Sequence, residues 1–544
     1  MDLVACAQAA RLDAAVRERA ALSAALLMED ASLRLWIALE PIAASLGAGR
    51  DSELVVLCGP GNNGGDALAL LRHARFSGLS RLAAVMGRAR PGELPALHAA
   101  SIRALGLPVL SWEEEREDCE ALIARAGLLV DGIAGTGLSG PLREPLASLM
   151  RAANASDAPL AAIDLPSGLF DGFRGLVAAD GDLAADIDLA AGVGATAKAD
   201  WTLSIEPRKA CLYYPAARPL CGEIIPVDGV FLKDEPVEAR ARLLEAGDLK
   251  RLAPGPAAHA YKGSRGRLAI FAGALGTTGA AVLCSRASLA AGAGLAALYA
   301  SPDIIGPLSS ALESVMVKPE PVEPGGIDAS RWDAVLAGPG WGRGENARAA
   351  LSALLGSGLP LVLDADALHL FREFLDSGGR PSAPVIATPH PGEFGRLAGA
   401  SAERALADPP SVLIAAAREL GAVVVLKSHV TWIASPTGEM AVWDGMDPSL
   451  GTAGSGDVLA GLAGGLLASA MALEKSERVA RSREGEAGEG GAARAAGGAW
   501  DAAFSAARAA VIAHGLAGRR ARASGGWYAA GELVAEAARV LGSP

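Results

Sequence analysis

Short, continuous apolar runs recur along this chain, and nearly every one ends in a cluster of Gly, Asp or Pro. The first is Leu54-Val55-Val56-Leu57-Cys58. A run of this kind, without polar alternation, predicts a strand buried on both faces, as in a parallel sheet. Amphipathic helical patterns fill residues 1–50, and a helix is expected from Ala67. Runs at 81–86, 128–131 and 160–164 continue the rhythm. A second series starts at 267–271 and passes through 334–336, 361–363, 385–387 and 423–426. Strand, turn and helix repeated in this way predict α/β domains with doubly wound sheets.

A charged stretch at 233–242, with Pro236 near its middle, separates the two series. A chain of 544 residues exceeds one ordinary domain. The expected division is therefore a domain at 1–235 and a second at 240–544. Residues 474–498 are rich in Arg, Glu, Gly and Ala and nearly lack large apolar side chains, so they read as a flexible surface insertion.

Composition changes the picture in a few places. Apolar residues at 51% and charged ones at 20% fit globular domains. The net charge of −12 argues against a general nucleic-acid binder. Six scattered cysteines without a C-x-x-C pair give no expectation of zinc or a disulfide framework, and they fit a reducing cytoplasm. The N-terminus lacks a basic start followed by an apolar run, so no signal peptide is expected. Read along the sequence, apolar runs are broken by Gly or charge before membrane-spanning length, so no membrane association is expected either.

Candidate chemistry concentrates at the ends of the apolar runs, where open parallel sheets bind ligands. Near the C-terminus stands Gly451-Thr452-Ala453-Gly454-Ser455-Gly456-Asp457. Small residues let backbone approach a phosphate, and the following helix aims its N-terminal amides and dipole at the same spot. An acidic residue would repel an anion there. It makes sense as a base that takes the proton of a hydroxyl attacking a phosphoryl group. A plain helix cap by Asp457 is the competing reading. In the first half, Gly59-Pro60-Gly61-Asn62-Asn63-Gly64-Gly65-Asp66, Asp131 to Leu138 and Asp164-Leu165-Pro166-Ser167-Gly168 each follow an apolar run. Two aspartates, an asparagine and a serine on loops at one sheet edge could form an oxygen-rich site for a hard cation. Simple turn capping competes there too.

In this order the three first-half segments resemble the N-terminal domain of the NAD(P)H-hydrate epimerase family. The second half carries Gly338-Pro339-Gly340, Asp364-Ala365-Asp366-Ala367-Leu368, Thr388-Pro389-His390-Pro391-Gly392-Glu393-Phe394 and Gly454-Ser455-Gly456-Asp457. It resembles the ADP/ATP-dependent NAD(P)H-hydrate dehydratases, a ribokinase-like branch. Nearly the whole chain thus resembles the bifunctional NAD(P)H-hydrate repair family.

The resemblance implies a Rossmann-like N-terminal domain and a ribokinase-like α/β/α C-terminal sandwich. It implies hydrate binding in the epimerase by Asn62, Asn63, Gly64, Gly65, Asp66, Gly135, Thr136, Gly137, Leu138 and Asp164, with Asp164 as its proton-transfer residue. Potassium would be held by Asn63, Asp131 and Ser167. In the dehydratase, Ala280, Gly340, His390 and Asp457 would touch the hydrate. Lys427, Ser428, His429, Val430, Thr431, Gly454, Ser455 and Gly456 would take ADP or ATP, with Mg²⁺, and Asp457 would activate the hydroxyl. NADHX and NADPHX are the implied substrates, and a cytoplasmic homo-oligomer is expected.

Ala67, Thr277, Ser428 and Ala453 depart from the family pattern. His514 reads as a core helix residue and His429 as a surface one. Asp364 and Asp366 could bind magnesium or merely cap turns. A small-alcohol kinase fused to a non-catalytic scaffold is the alternative function.

Overall fold

The computed structural model describes residues 1–173, 195–231, 237–253, 255–321, 323, 326–483 and 491–542. It divides into two compact units, residues 2–241 with 406–408, and residue 1 with 242–405 and 409–544.

The N-terminal unit holds a seven-stranded sheet in the order Val109–Ser111, Leu82–Met86, Glu53–Cys58, Ala126–Gly132, Leu160–Ile163, Trp201–Ile205, Glu223–Val227. Each neighbouring pair is parallel. The chain starts mid-sheet, moves to one edge, then returns to build the other side. That reversal leaves a crevice beside the carboxyl ends of Glu53–Cys58 and Ala126–Gly132, where ligands bind in open α/β sheets.

Strand side chains alternate between two cores. Leu54, Val56 and Cys58 pack with Leu35, Leu39 and Leu68 on one face. Val55 and Leu57 pack with Leu122, Leu149 and Met150 on the other. Two buried faces explain why the sequence shows unbroken apolar runs instead of alternation.

The C-terminal unit continues the pattern in the order Met316–Pro319, Leu295–Ala300, Arg267–Phe271, Ala334–Ala337, Leu361–Leu363, Val385–Ala387, Val423–Leu426, Val430–Ala434, Met440–Asp444, Ala241–Leu243. It is parallel through Val423–Leu426 and turns antiparallel at Val430–Ala434 and Met440–Asp444.

Helix Ser455–Arg483 packs in this unit's core beside helices Thr278–Ala290 and Gly491–Gly525. Its glycines are contact residues. A Cβ on Gly461 would lie 2.3 Å from Cys284 O, and one on Gly465 would lie 2.3 Å from Ser288 O.

Two expectations need revision. The span Ser455–Arg478 is long and apolar enough to cross a membrane by length and composition, with a mean hydropathy of 1.6. Its glycines do not interrupt it, because they serve the helix contact, and 67% of its apolar window is buried inside the protein. The supposed insertion at 474–498 is helical up to Arg483 and again from Gly491, and residues 484–490 lie outside the described residues. Lys475 reaches Asp333 at 3.4 Å, which ties the extended helix to the sheet.

Replacing Gly461 with Ala should overpack this contact and cost about 1–3 kcal/mol. Chemical denaturation followed by the C-terminal unit's tryptophans would measure the loss, and an unchanged midpoint would contradict it.

Candidate functional site

Three loops meet at the carboxyl edge of the N-terminal sheet, after Glu53–Cys58, Ala126–Gly132 and Leu160–Ile163. The backbones run close together. A Cβ on Gly59 would lie 1.8 Å from Ile133 O, so only Gly fits there. Asp131 is fully buried at the end of its strand. It accepts hydrogen bonds from Ser167 Oγ at 2.6 Å, Ser167 N at 2.8 Å and Ile133 N at 3.1 Å. Burial pushes its carboxyl up to about 6, against the pull of those donors. Asn63 opens helix Asn62–Phe76, and its Oδ1 would be 3.2 Å from a Cβ on Gly135, so the first and second loops touch.

Beside them opens a cavity of about 1150 Å³. Asn62, Asn63, Asp66, Asp164 and the loop Gly135 to Leu138 line it. Gly64 and Gly65 do not. They are buried, and a Cβ would meet Gly59 O at 2.1 Å and Met28 Sδ at 2.7 Å respectively. Gly64 lets the helix start close to the strand's end, and Gly65 makes room for Met28 of helix Ala24–Ser45. Ala67, where the family pattern has Gly, is fully buried under Gly132 and leaves the loops in place.

Asp164 adopts a left-handed conformation with φ of 65°, uncommon outside Gly. An ion pair to the buried ammonium of Lys209 holds its side chain, and Lys209 also donates to Ile205 O at 2.8 Å. Sequence reading missed Lys209. It lies 45 residues from its partner, in no motif, and only the fold joins them.

The scattered cysteines also conceal a contact. Cys6 Sγ and Cys211 Sγ are 3.5 Å apart, and with Asp171 they put three possible ligand atoms within 4.8 Å of one another. Asp171 is already engaged there, accepting from the amide of Cys6 at the start of helix Cys6–Arg19.

In the C-terminal unit the site again lies at strand ends. Lys427, after Val423–Leu426, donates to Asp364 Oδ1 at 2.7 Å, and Asp364 also accepts from Thr388 Oγ1 at 2.7 Å. Asp364 is therefore built into the site as the lysine's partner, a role sequence reading left open. A Cβ on Gly456 would lie 3.5 Å from Lys427 Nζ, which brings the ammonium to the glycine turn.

Asp457 lies in the first turn of helix Ser455–Arg483. Burial, then the charge of Asp364, pushes its carboxyl up to about 6, with Lys427 pulling the other way. Among the described residues no charged hydrogen-bond partner fixes it as Lys209 fixes Asp164. A carboxyl left in this state can accept or release a proton.

Ala280 and Gly340 sit together, since a Cβ on Gly340 would lie 3.2 Å from Ala280 Cβ, and Thr277 Oγ1 bonds Gly340 O at 2.7 Å. Thr277 therefore has a structural use of its own. His390 caps helix Pro391–Ala398, accepting from Gly392 N at 3.1 Å through Nδ1. An accepting Nδ1 leaves the proton on Nε2, which faces Glu393 Oε2 at 3.6 Å. Of the expected nucleotide ligands, Val430 is fully buried in its strand, while Ser428, His429 and Thr431 are half-buried at the strand's start. Thr431 Oγ1 donates back to Ser428 O at 3.1 Å.

His514 is more than a packing residue. Its Nε2 lies 2.9 Å from Ser455 Oγ and 3.0 Å from Ser455 O, so helix Gly491–Gly525 grips the glycine turn from beneath. Burial pushes its pKa down to about 4, so the ring is neutral near pH 7. The 59 residues between the partners hid this bond from sequence reading. His514→Ala should loosen the turn and weaken nucleotide binding by about tenfold, the worth of one buried hydrogen bond. Titration of the nucleotide would show it, and unchanged affinity would mean the turn holds itself.

Comparisons with known proteins agree with both halves. A family profile described as NAD(P)H-hydrate dehydratase matches residues 268–538, and one described as YjeF-related protein N-terminus matches residues 18–211. A bifunctional NAD(P)H-hydrate repair enzyme of Gloeobacter violaceus is 36% identical over 478 residues, covering 86% of this chain and 89% of the relative. That of Salinibacter ruber is 34% identical over 470 residues, covering 81% and 83%. Among solved structures, an ADP/ATP-dependent NAD(P)H-hydrate dehydratase from Bacillus subtilis is 23% identical with a TM-score of 0.44, covering 55% of this chain and 97% of its own.

Proposed function

The chain belongs to the bifunctional NAD(P)H-hydrate repair enzymes, and we propose how its residues divide that work. The unit corresponding to 1–235 interconverts the R and S hydrates of NADH and NADPH. The unit corresponding to 240–544 dehydrates the S hydrate with ADP or ATP. The observation that carries the second assignment is the meeting of Asp457, the small-residue turn and Lys427 at one sheet edge. A hydroxyl on the reduced ring is a poor leaving group, and phosphorylation makes it a good one. Asp457 takes the hydroxyl proton. The turn's first amides, unpartnered within the helix, and Lys427 meet the charge on the transferring phosphoryl group. Ala280, Gly340 and the Nε2–H of His390 orient the hydrate. A small-alcohol kinase could use the same turn, but the cavity of Asp164 and Lys209 on the same chain favours a hydrate.

In the epimerase unit, Asn63, Asp131 and Ser167 form an all-oxygen set suited to potassium. The burial of Asp131 without a cationic side chain bonded to it, among the described residues, supports a bound cation. Magnesium would enter with the nucleotide's phosphates. The reading includes a cytoplasmic homo-oligomer with small-molecule partners.

The direct test supplies hydrated NADH and ATP and follows the return of reduced-nicotinamide absorbance. No return in the wild type would sink the dehydratase assignment. Asp457→Asn should lower dehydration roughly 100-fold or more while R-to-S conversion persists. Loss of both activities in folded protein would contradict two independent sites.

The same base sets a pH dependence. Asp457 works ionised, and its raised value of about 6 means that it is protonated below that pH. Dehydration kcat should therefore climb through pH 6 and level off above it, and a flat profile across that pH would exclude Asp457 as the base.

A further inference from the structure

Inverting a carbon that bears a hydroxyl beside a ring nitrogen needs two proton transfers. The C–O bond breaks with its electrons on oxygen, the nitrogen lone pair forms C=N⁺, and the oxygen takes a proton to leave as water. Water then adds to the other face, loses a proton to a base, and the C=N electrons return to nitrogen. One group must begin protonated and the other ionised, as when an active site pushes two carboxyls apart. This step rests on the epimerase reading above.

The cavity contains two such carboxyls. Asp164 is the carboxylate of an ion pair with Lys209. Asp66 lines the same cavity from the first helix of the Asn-Asn-Gly-Gly turn. Among the described residues no cation pairs with it. Its one side-chain neighbour within hydrogen-bonding reach is Ser32 Oγ, at 3.5 Å. Ser32 has a single proton, and Met28 O, at 2.6 Å, takes it in preference. The serine therefore leaves a carboxylate at Asp66 unsupported, and its oxygen is free to accept a proton from the acid form. Burial, with the negative charges of Asp164 and Asp13, pushes Asp66 well above the usual carboxylate range.

We propose that Asp66 is the acid of the epimerase, delivering its proton to the departing hydroxyl while Asp164 takes the proton of the incoming water. In the reverse direction the two exchange roles, and exchange with solvent resets them.

Asp66→Asn separates this role from mere binding. Asparagine has the shape of a protonated aspartate and keeps a donor, but it cannot release a proton at neutral pH. Epimerisation kcat should fall roughly 100-fold with little change in KM, and Asp66→Glu should regain part of it. Because Asp66 lies in the N-terminal unit, near-UV circular dichroism and thermal unfolding of the full-length variant, matched to wild type, report that this unit is folded. If Asp66→Asn keeps epimerisation within about twofold of wild type, or if folded Asp66→Glu is no faster than folded Asp66→Asn, Asp66 is not the acid. A wild type that converts R to S no faster than buffer would overturn the epimerase reading itself.

Discussion

A lysine held against a buried aspartate stands at the carboxyl edge of each sheet: Lys209 on Asp164, and Lys427 on Asp364. Neither charge could be buried alone, since an unpaired one costs several kcal/mol. The pairs therefore constrain the loops around them. Asp164 meets Lys209 from a left-handed backbone conformation, and the amide of Lys427 is pinned to Pro389 O at 2.9 Å while its ammonium reaches Asp364. Strand order supplies the edges, and the ion pairs fix which loops lie close enough to act together.

Each pair leaves a second carboxyl beside it without a bonded cation. In the N-terminal unit this is Asp66, and in the C-terminal unit Asp457. Both are pushed above the usual carboxylate range, first by burial and then by the negative charge of the paired aspartate. One arrangement thus serves two chemistries. A fixed charge organises the pocket, and a neighbouring carboxyl holds its proton more firmly than a free carboxyl does. The difference lies in what faces the free group. Asp66 faces a cavity lined by loops and helices, whereas Asp457 sits at a helix N-terminus, a place suited to phosphate.

The sequence made the strands legible because burial on both faces removes polar alternation, leaving runs such as 54–58 that admit little else. It also made the turns legible, since a Gly that touches backbone, as Gly59 does, tolerates no other residue. What stayed hidden were side chains whose meaning comes from a distant partner. Lys209 and His514 sit in no motif, and Asp364 read equally as a magnesium ligand or a turn cap until Lys427 was seen upon it. Gly64 and Gly65 are the opposite case: their motif signals ligand binding, and their missing side chains also leave room for Gly59 O and Met28 Sδ. The core helix that begins at Ser455 was misjudged because glycine was read as an interruption.

Those glycines bear on catalysis. A turn built from Gly, Ala and Ser has too little side-chain mass to hold its own shape, so its shape must come from below. His514 holds Ser455, and a Cβ on Gly454 would lie 2.5 Å from Leu283 Cδ1. Gly461 and Gly465 then seat the following helix against successive turns of helix Thr278–Ala290 at Cys284 and Ser288. The contacts advance in the same direction along both helices, so both N-termini reach the same sheet edge. One carries Asp457 and the other Ala280. Larger residues along that seam would separate the helices, and with them Asp457, the proposed base, from the residue proposed to hold its substrate. The close packing that makes the helix apolar enough to span a membrane is also what sets the distance between the two.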